Sequence, residues 1–152
     1  MHELIWLSKT EEETRRCGYL FAENCRGNVV VLLNGALGAG KTVFVRGLAS
    51  GFGVEQEISS PSFNLMNIYS GSRHKLFHID AFREKFLTWG ALNLDDIIVE
   101  PFCCAVEWPE HFFEYPEDLA KFYVTIEPSN ECRLITIKTQ DKNLLFQLSV
   151  KD

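Results

Sequence analysis

The sequence predicts an α/β fold: a mainly parallel sheet with flanking helices and antiparallel strands added to it. Three observations carry this. The apolar run Asn28-Val29-Val30-Val31-Leu32-Leu33-Asn34 enters a glycine-rich loop, and residues at helical spacing follow it. Two more short apolar runs, Lys75-Leu76-Phe77-His78-Ile79-Asp80 and Phe102-Cys103-Cys104-Ala105-Val106-Glu107, each end in an acid. Late in the chain, residues 123–126 and 134–137 alternate as an antiparallel pair. At 152 residues, with no internal repeat or linker, the chain is expected to form one domain over 1–152.

The elements follow in order. Residues 4–7 predict a short strand. Thr10, with Glu13 three residues on, predicts an N-cap and a capping box. A helix follows to about Asn24, burying Cys17, Leu20, Phe21 and Cys25, and Gly27 ends it. The 28–34 run is β-branched and uninterrupted, as a strand covered on both faces must be. After the glycine loop, Val43, Phe44, Val45, Leu48, Ala49 and Phe52 mark a helix, closed by Gly51 and Gly53. Ser59-Ser60-Pro61-Ser62-Phe63 is a hydroxyl-rich loop. Residues 63–69 and 75–80, joined by Ser70-Gly71-Ser72, predict a hairpin. Residues 84–99 are expected to be helical in part, interrupted at Gly90.

Composition narrows the function. The net charge is −6, and the only basic groupings are Arg15-Arg16 and Arg73 with Lys75. Nucleic acid is gripped through phosphate neutralisation by basic stripes. No direct nucleic-acid binding is therefore expected, and work on RNA would need a partner to hold it. No apolar run reaches the roughly eighteen residues that span a bilayer. The N-terminus shows no basic segment leading into an apolar one. A cytoplasmic protein without a membrane association is expected. The five cysteines are odd in number and lack C-x-x-C spacing, which favours buried thiols in a reducing compartment. Cys103 and Cys104 should point to opposite sheet faces.

Residues 35–42, Gly-Ala-Leu-Gly-Ala-Gly-Lys-Thr, match the phosphate-loop pattern G-x-x-x-x-G-K-[ST] without a mismatch. Gly35, Gly38 and Gly40 let the chain turn tightly, so that amides of Gly35, Leu37, Gly38, Ala39 and Gly40 aim inward. Lys41, expected to face solvent, would set an ammonium between the β- and γ-phosphates. Thr42 would give a hydroxyl to Mg²⁺, and the helix N-terminus adds partial positive charge. The implied cofactors are ATP and Mg²⁺. Hydrolysis also needs carboxylates for the metal and the attacking water. Asp80 and Glu107, at strand ends, are the candidates for both roles, with neither assignment fixed. Ser60 and Ser62 are candidate γ-phosphate sensors, and Trp108 a stacking surface. His78 shares a strand face with Asp80 and is expected to orient that acid. Arg83 is a candidate partner of phosphate or of Asp80.

These blocks together resemble the TsaE (YjeE) family, the small ATPase of bacterial tRNA threonylcarbamoyladenosine synthesis. The resemblance rests on the phosphate loop with Phe44-Val45-Arg46-Gly47-Leu48, then Ser60-Pro61-Ser62-Phe63. It continues through His78-Ile79-Asp80-Ala81-Phe82-Arg83 and Val106-Glu107-Trp108-Pro109-Glu110. It runs from about Thr10 to Arg133. It implies a P-loop NTPase-like three-layer sandwich, with Lys41 and the loop amides on phosphate and Thr42 and Glu107 on Mg²⁺. It further implies Asp80 supporting metal or water, a switch-like loop at Ser60 and Ser62, and Thr10 and Arg133 near base and ribose. Three residues depart from the family pattern: Ala36 for an acid, Ser62 for threonine, Phe82 for tyrosine. The implied function is Mg²⁺-dependent ATP hydrolysis coupled to the TsaD–TsaB complex. That complex modifies adenosine 37 of tRNA, so tRNA is met only indirectly. The rival readings are a small-molecule kinase, against which stands the lack of an arginine cluster after residue 83, and a nucleotide-dependent binding module with negligible hydrolysis.

Overall fold

The structure, a computed structural model, describes residues 1–36, 38–61 and 64–140. Its strands are β1 (His2–Ser8), β2 (Val29–Asn34), β3 (Met66–Ser70), β4 (Lys75–Asp80), β5 (Leu87–Thr88), β6 (Phe102–Glu107), β7 (Phe112–Phe113), β8 (Ala120–Ser129) and β9 (Cys132–Thr139). Seven form one sheet in the order β1-β9-β8-β2-β6-β4-β3. The central four, β8, β2, β6 and β4, run parallel. Antiparallel strands complete both sides: β9 and then β1 on one, β3 on the other. The predicted α/β class, the 75–80 and 102–107 strands, the hairpin and the late pair are all present.

Two helices, α1 (Glu11–Asn24) and α2 (Lys41–Gly51), cover one sheet face. Their backbones meet at glycines. A Cβ on Gly18 would collide with the Phe44 carbonyl, and one on Gly47 with that of Arg15. This close crossing presses Phe21, Phe44 and Leu48 onto Val29, Val31 and Leu33 of β2. The alternate residues Val30 and Leu32 point the other way. They join Phe77, Ile79, Cys104 and Val106 under Trp89, Leu94 and Phe112. Both faces of β2 are thus buried, which is why its sequence is apolar without alternation. Cys103 and Cys104 do face opposite layers, and burial pushes both thiols up.

The second layer differs from the expectation for 84–99. It contains β5 paired with β7, a 3₁₀ turn Gly90–Leu92, and the single-turn α3 (Leu94–Ile97). Gly90 begins the turn rather than interrupting a helix. Thr88 accepts the Ala91 N–H at 3.0 Å, and Asn93 adopts φ 53°, so the helical path is broken twice. Burial of the Trp89 ring, with its indole N–H donated to Asp95 at 2.9 Å, dictates the local path. The hairpin's first strand begins at Met66, because Leu65 sits at φ 63°, outside the extended region. Phe63, the expected start of that strand, lies outside the described residues.

Thr10 is the N-cap of α1, its hydroxyl accepting the Glu13 N–H at 3.1 Å. The return bond of the capping box is displaced: the Glu13 carboxylate takes the N–H of Lys9 instead. β1 is longer than predicted because β9 pairs with all of it, from His2↔Thr139 to Ser8↔Arg133. That register delivers Arg133 to the start of α1. Among the described residues, no helix is long and apolar enough to cross a membrane.

Candidate functional site

The glycine loop leaves the carboxyl end of β2 and enters α2, as its flanks predict. Gly35 is dictated by proximity: a Cβ there would lie 2.8 Å from the Ile126 carbonyl oxygen of β8. Gly38 and Gly40 stand at φ 80° and 113°, in the left-handed region where side chains are strained. The Gly40 carbonyl accepts the Phe44 N–H at 3.0 Å, which starts the helix and leaves its first amides without an intrahelical partner.

The parallel registers explain how distant acids come together. Leu33 pairs with Glu107, and Glu107 with Asp80, at the carboxyl ends of three adjacent strands. In open α/β sheets this is the edge where ligands bind. Glu107 is buried. Its Oε2 lies 2.6 Å from His78 Nε2, and its Oε1 lies 4.0 Å from Lys41 Nζ. Asp80 is less enclosed, and its Oδ1 accepts the Phe82 N–H at 3.0 Å. The hydrogen-bond partner of His78 is therefore Glu107, not Asp80. Both acids share its strand-face direction, but the register sets Glu107 across from Asp80 and within the imidazole's reach.

Lys41 is also corrected. The sequence places it toward solvent, yet it is 6 % exposed. Trp108 follows β6 with φ 58°, and this bend sets its ring 4.8 Å from the Lys41 ammonium. The buried ammonium thus has an indole ring and a carboxylate as neighbours. Phe82 packs on the same indole at 4.9 Å between centroids.

These groups line a cavity of about 390 Å³. Of the residues the sequence singles out, the cavity brings together Gly38, Gly40, Lys41, Thr42, Ser60, Asp80, Phe82, Arg83, Glu107, Trp108 and Arg133. Arg133 comes from β9 and donates to the Gly38 carbonyl at 3.1 Å, bracing the loop. Gly35 and Ala39 are not on the cavity wall. Gly35 packs against β8, and Ala39 is buried with its N–H donated to the Ala36 carbonyl at 3.0 Å, so the Ala39 amide expected to face the phosphates is instead bonded within the loop. Thr10 is not on this wall either. It borders a neighbouring depression with Ser8, Lys9, Glu131 and Cys132, which shares Glu11 and Arg133 with the main cavity. Its hydroxyl is committed to capping α1. Leu37 and Ser62 lie outside the described residues. Glu11, Val43 and Leu65 line the cavity and escape the sequence reading; only the position of Glu11 beside the predicted N-cap signals its place.

The donor set can be tested against the implied metal. Thr42, Asp80 and Glu107 bring a hydroxyl and carboxylates to one cavity, all hard oxygen donors. Among the described residues, no three His, Cys, Asp or Glu side chains group to hold an ion by themselves. That combination suits Mg²⁺, which keeps several waters and takes one or two protein oxygens alongside phosphate.

Comparison with known proteins gives a consistent picture. A family model described as threonylcarbamoyl adenosine biosynthesis protein TsaE matches residues 8–137. The tRNA threonylcarbamoyladenosine biosynthesis protein TsaE of Treponema pallidum is 37% identical over 124 residues, covering 79% of this chain and 87% of that protein. The Bacillus subtilis protein of the same name is 34% identical over 108 residues, covering 71% and 68%. Among solved structures, that of Bacillus subtilis YdiB superposes with a TM-score of 0.78 at 28% identity, covering 99% of this chain and 97% of that one.

Proposed function

This chain belongs to the TsaE family of threonylcarbamoyl adenosine biosynthesis proteins, and on that premise we propose that it is a Mg²⁺-dependent ATPase serving tRNA threonylcarbamoylation. Its partner in this reading is the TsaD–TsaB complex, which modifies adenosine 37, and hydrolysis by this chain resets that complex between turnovers. The observation that carries the reading is the meeting of Lys41, Thr42, Asp80 and Glu107 around one cavity at the carboxyl ends of parallel strands.

The geometry supports the following roles. The loop amides and Lys41 take the phosphates, with charge supplied from a site enclosed by protein and therefore weakly screened. Thr42 and Glu107 would hold Mg²⁺, which when bound polarises phosphate oxygens and offsets their charge. Asp80, one strand over from Glu107, orients water or supports the metal. Arg133 braces the loop at Gly38. Ser60 and Ser62 form the segment that reports on the γ-phosphate. The net charge of −6 agrees with a protein that reaches tRNA only through its partner.

The test of the reading is a pull-down from cell extract with this chain as bait, carried out with ATP, with ADP and without nucleotide. TsaD–TsaB should be retained in a nucleotide-dependent manner. Equal retention in all three conditions, or none in any, would contradict the proposal.

Thr42 gives a narrower prediction. Thr42→Val keeps the shape and removes one oxygen. ATP affinity measured with Mg²⁺ should fall about tenfold, the order expected for one lost ligand of a metal–phosphate site. Affinity in EDTA should barely change. Calorimetry in the two buffers reads the difference, and equal losses would reduce Thr42 to a packing residue.

A further inference from the structure

His78 is a fully buried polar side chain among the apolar core residues Leu76, Phe77 and Ile79 of β4. Its Nε2 lies 2.6 Å from Glu107 Oε2. Its Nδ1 is buried with no hydrogen-bond partner. Burying an imidazole with one nitrogen unpaired costs free energy that an apolar side chain would avoid. A residue chosen for packing alone would not be histidine. Among the described residues, the contact with Glu107 accounts for it.

That contact divides the carboxylate. A carboxylate only accepts, so the proton of this hydrogen bond sits on His78 Nε2. Oε2 is thereby tied back into the protein. Oε1 is the oxygen that remains toward Lys41 and the cavity, at 4.0 Å from the ammonium. A carboxylate free to rotate would offer both oxygens, and would close onto Lys41 as a tight pair.

Resting on the nucleotide-site reading above, we propose that His78 is a positioning residue: it fixes the Glu107 carboxylate so that Oε1 alone faces the metal position and Lys41 stays available for phosphate. His78 touches neither nucleotide nor metal. It acts through Glu107, as outer partners of metal-binding carboxylates do elsewhere.

The test compares His78→Gln and His78→Leu. A glutamine amide nitrogen reaches about as far from the backbone as Nε2 and can donate the same bond; leucine cannot. Three readings are taken: thermal melts, nucleotide affinity in EDTA, and the Mg²⁺ concentration that half-saturates nucleotide binding, followed by Trp fluorescence. For His78→Leu the melting temperature should fall a few degrees, because the buried Glu107 loses its bond, with the protein still folded at room temperature, and affinity in EDTA should stay within about threefold of the unaltered protein. The Mg²⁺ requirement should rise ~10- to 100-fold, the range for lost outer-sphere partners. His78→Gln should recover most of that loss. In the unliganded protein, nitrogen-15 NMR should show the His78 imidazole protonated at Nε2. Equal Mg²⁺ requirements in the leucine variant and the unaltered protein would overturn the assignment to His78. So would a fall in EDTA affinity as large as the fall with Mg²⁺, or a glutamine variant no better than leucine. Failure of the unaltered protein to bind Mg²⁺–nucleotide at all would instead overturn the reading of the site on which the assignment rests.

Discussion

Lys41→Ala should abolish measurable ATP binding while leaving the protein folded. The lysine is buried, with its ammonium 4.8 Å from the Trp108 ring and 4.0 Å from Glu107. Losing one partner of an enclosed charge contact costs about 2–5 kcal/mol, or roughly 30- to 4,000-fold in affinity. Its burial raises a second expectation. Glu107 loses a cationic neighbour but keeps the His78 bond at 2.6 Å, and the ion pair itself is loose at 4.0 Å. The variant should therefore melt a few degrees lower without unfolding at room temperature. Lys41→Met, which keeps the stem beside Trp108, should melt closer to the unaltered protein and still fail to bind. Calorimetry with ATP and thermal melts with and without nucleotide read both effects. Undiminished affinity in either variant would remove the phosphate-loop reading.

Asp80→Asn and Glu107→Gln should bind ATP and turn it over slowly. Each amide keeps the size of the acid it replaces. In Asp80→Asn the side-chain carbonyl can still accept the Phe82 N–H, and in Glu107→Gln it can still accept from His78. What each loses is a charge in a preorganised site, which commonly costs on the order of 10²–10³ in rate. Measured phosphate release under saturating ATP should fall by that factor with the affinity largely kept. The acid that binds metal should also show a raised Mg²⁺ requirement in its amide variant, which separates the two roles the sequence leaves open. Turnover near that of the unaltered protein in both variants would favour a binding module over an ATPase.

Much of this site was legible because its chemistry is local. The glycine loop, its flanking strand and helix, and an acid at the end of each neighbouring strand are all short-range patterns. Their assembly follows from parallel pairing in register. What was not legible depends on long-range register. Arg133 reaches Gly38 because β9 pairs along the whole of β1, a relation between residues at opposite ends of the chain. Sequence places His78 on the right face, yet with the wrong acid, because strand alternation gives a face and not a cross-strand neighbour. The burial of Lys41 depends on the left-handed bend at Trp108, and no composition signal marks such a bend at a tryptophan. The second layer escaped because its path is decided by tertiary burial of Trp89, Leu94 and Phe112 rather than by helical periodicity.

The coupled-ATPase account is tested most directly by following phosphate release and tRNA threonylcarbamoylation together. The reaction contains TsaD–TsaB, threonylcarbamoyl-adenylate, tRNA and ATP, with this chain present, absent, or replaced by its Asp80→Asn and Glu107→Gln forms. The chain alone should hydrolyse ATP slowly, and addition of TsaD–TsaB should accelerate it. Modification should pass beyond one tRNA per complex only when the unaltered chain is present. Repeated modification without the chain, or with either amide variant at the unaltered rate, would contradict the account.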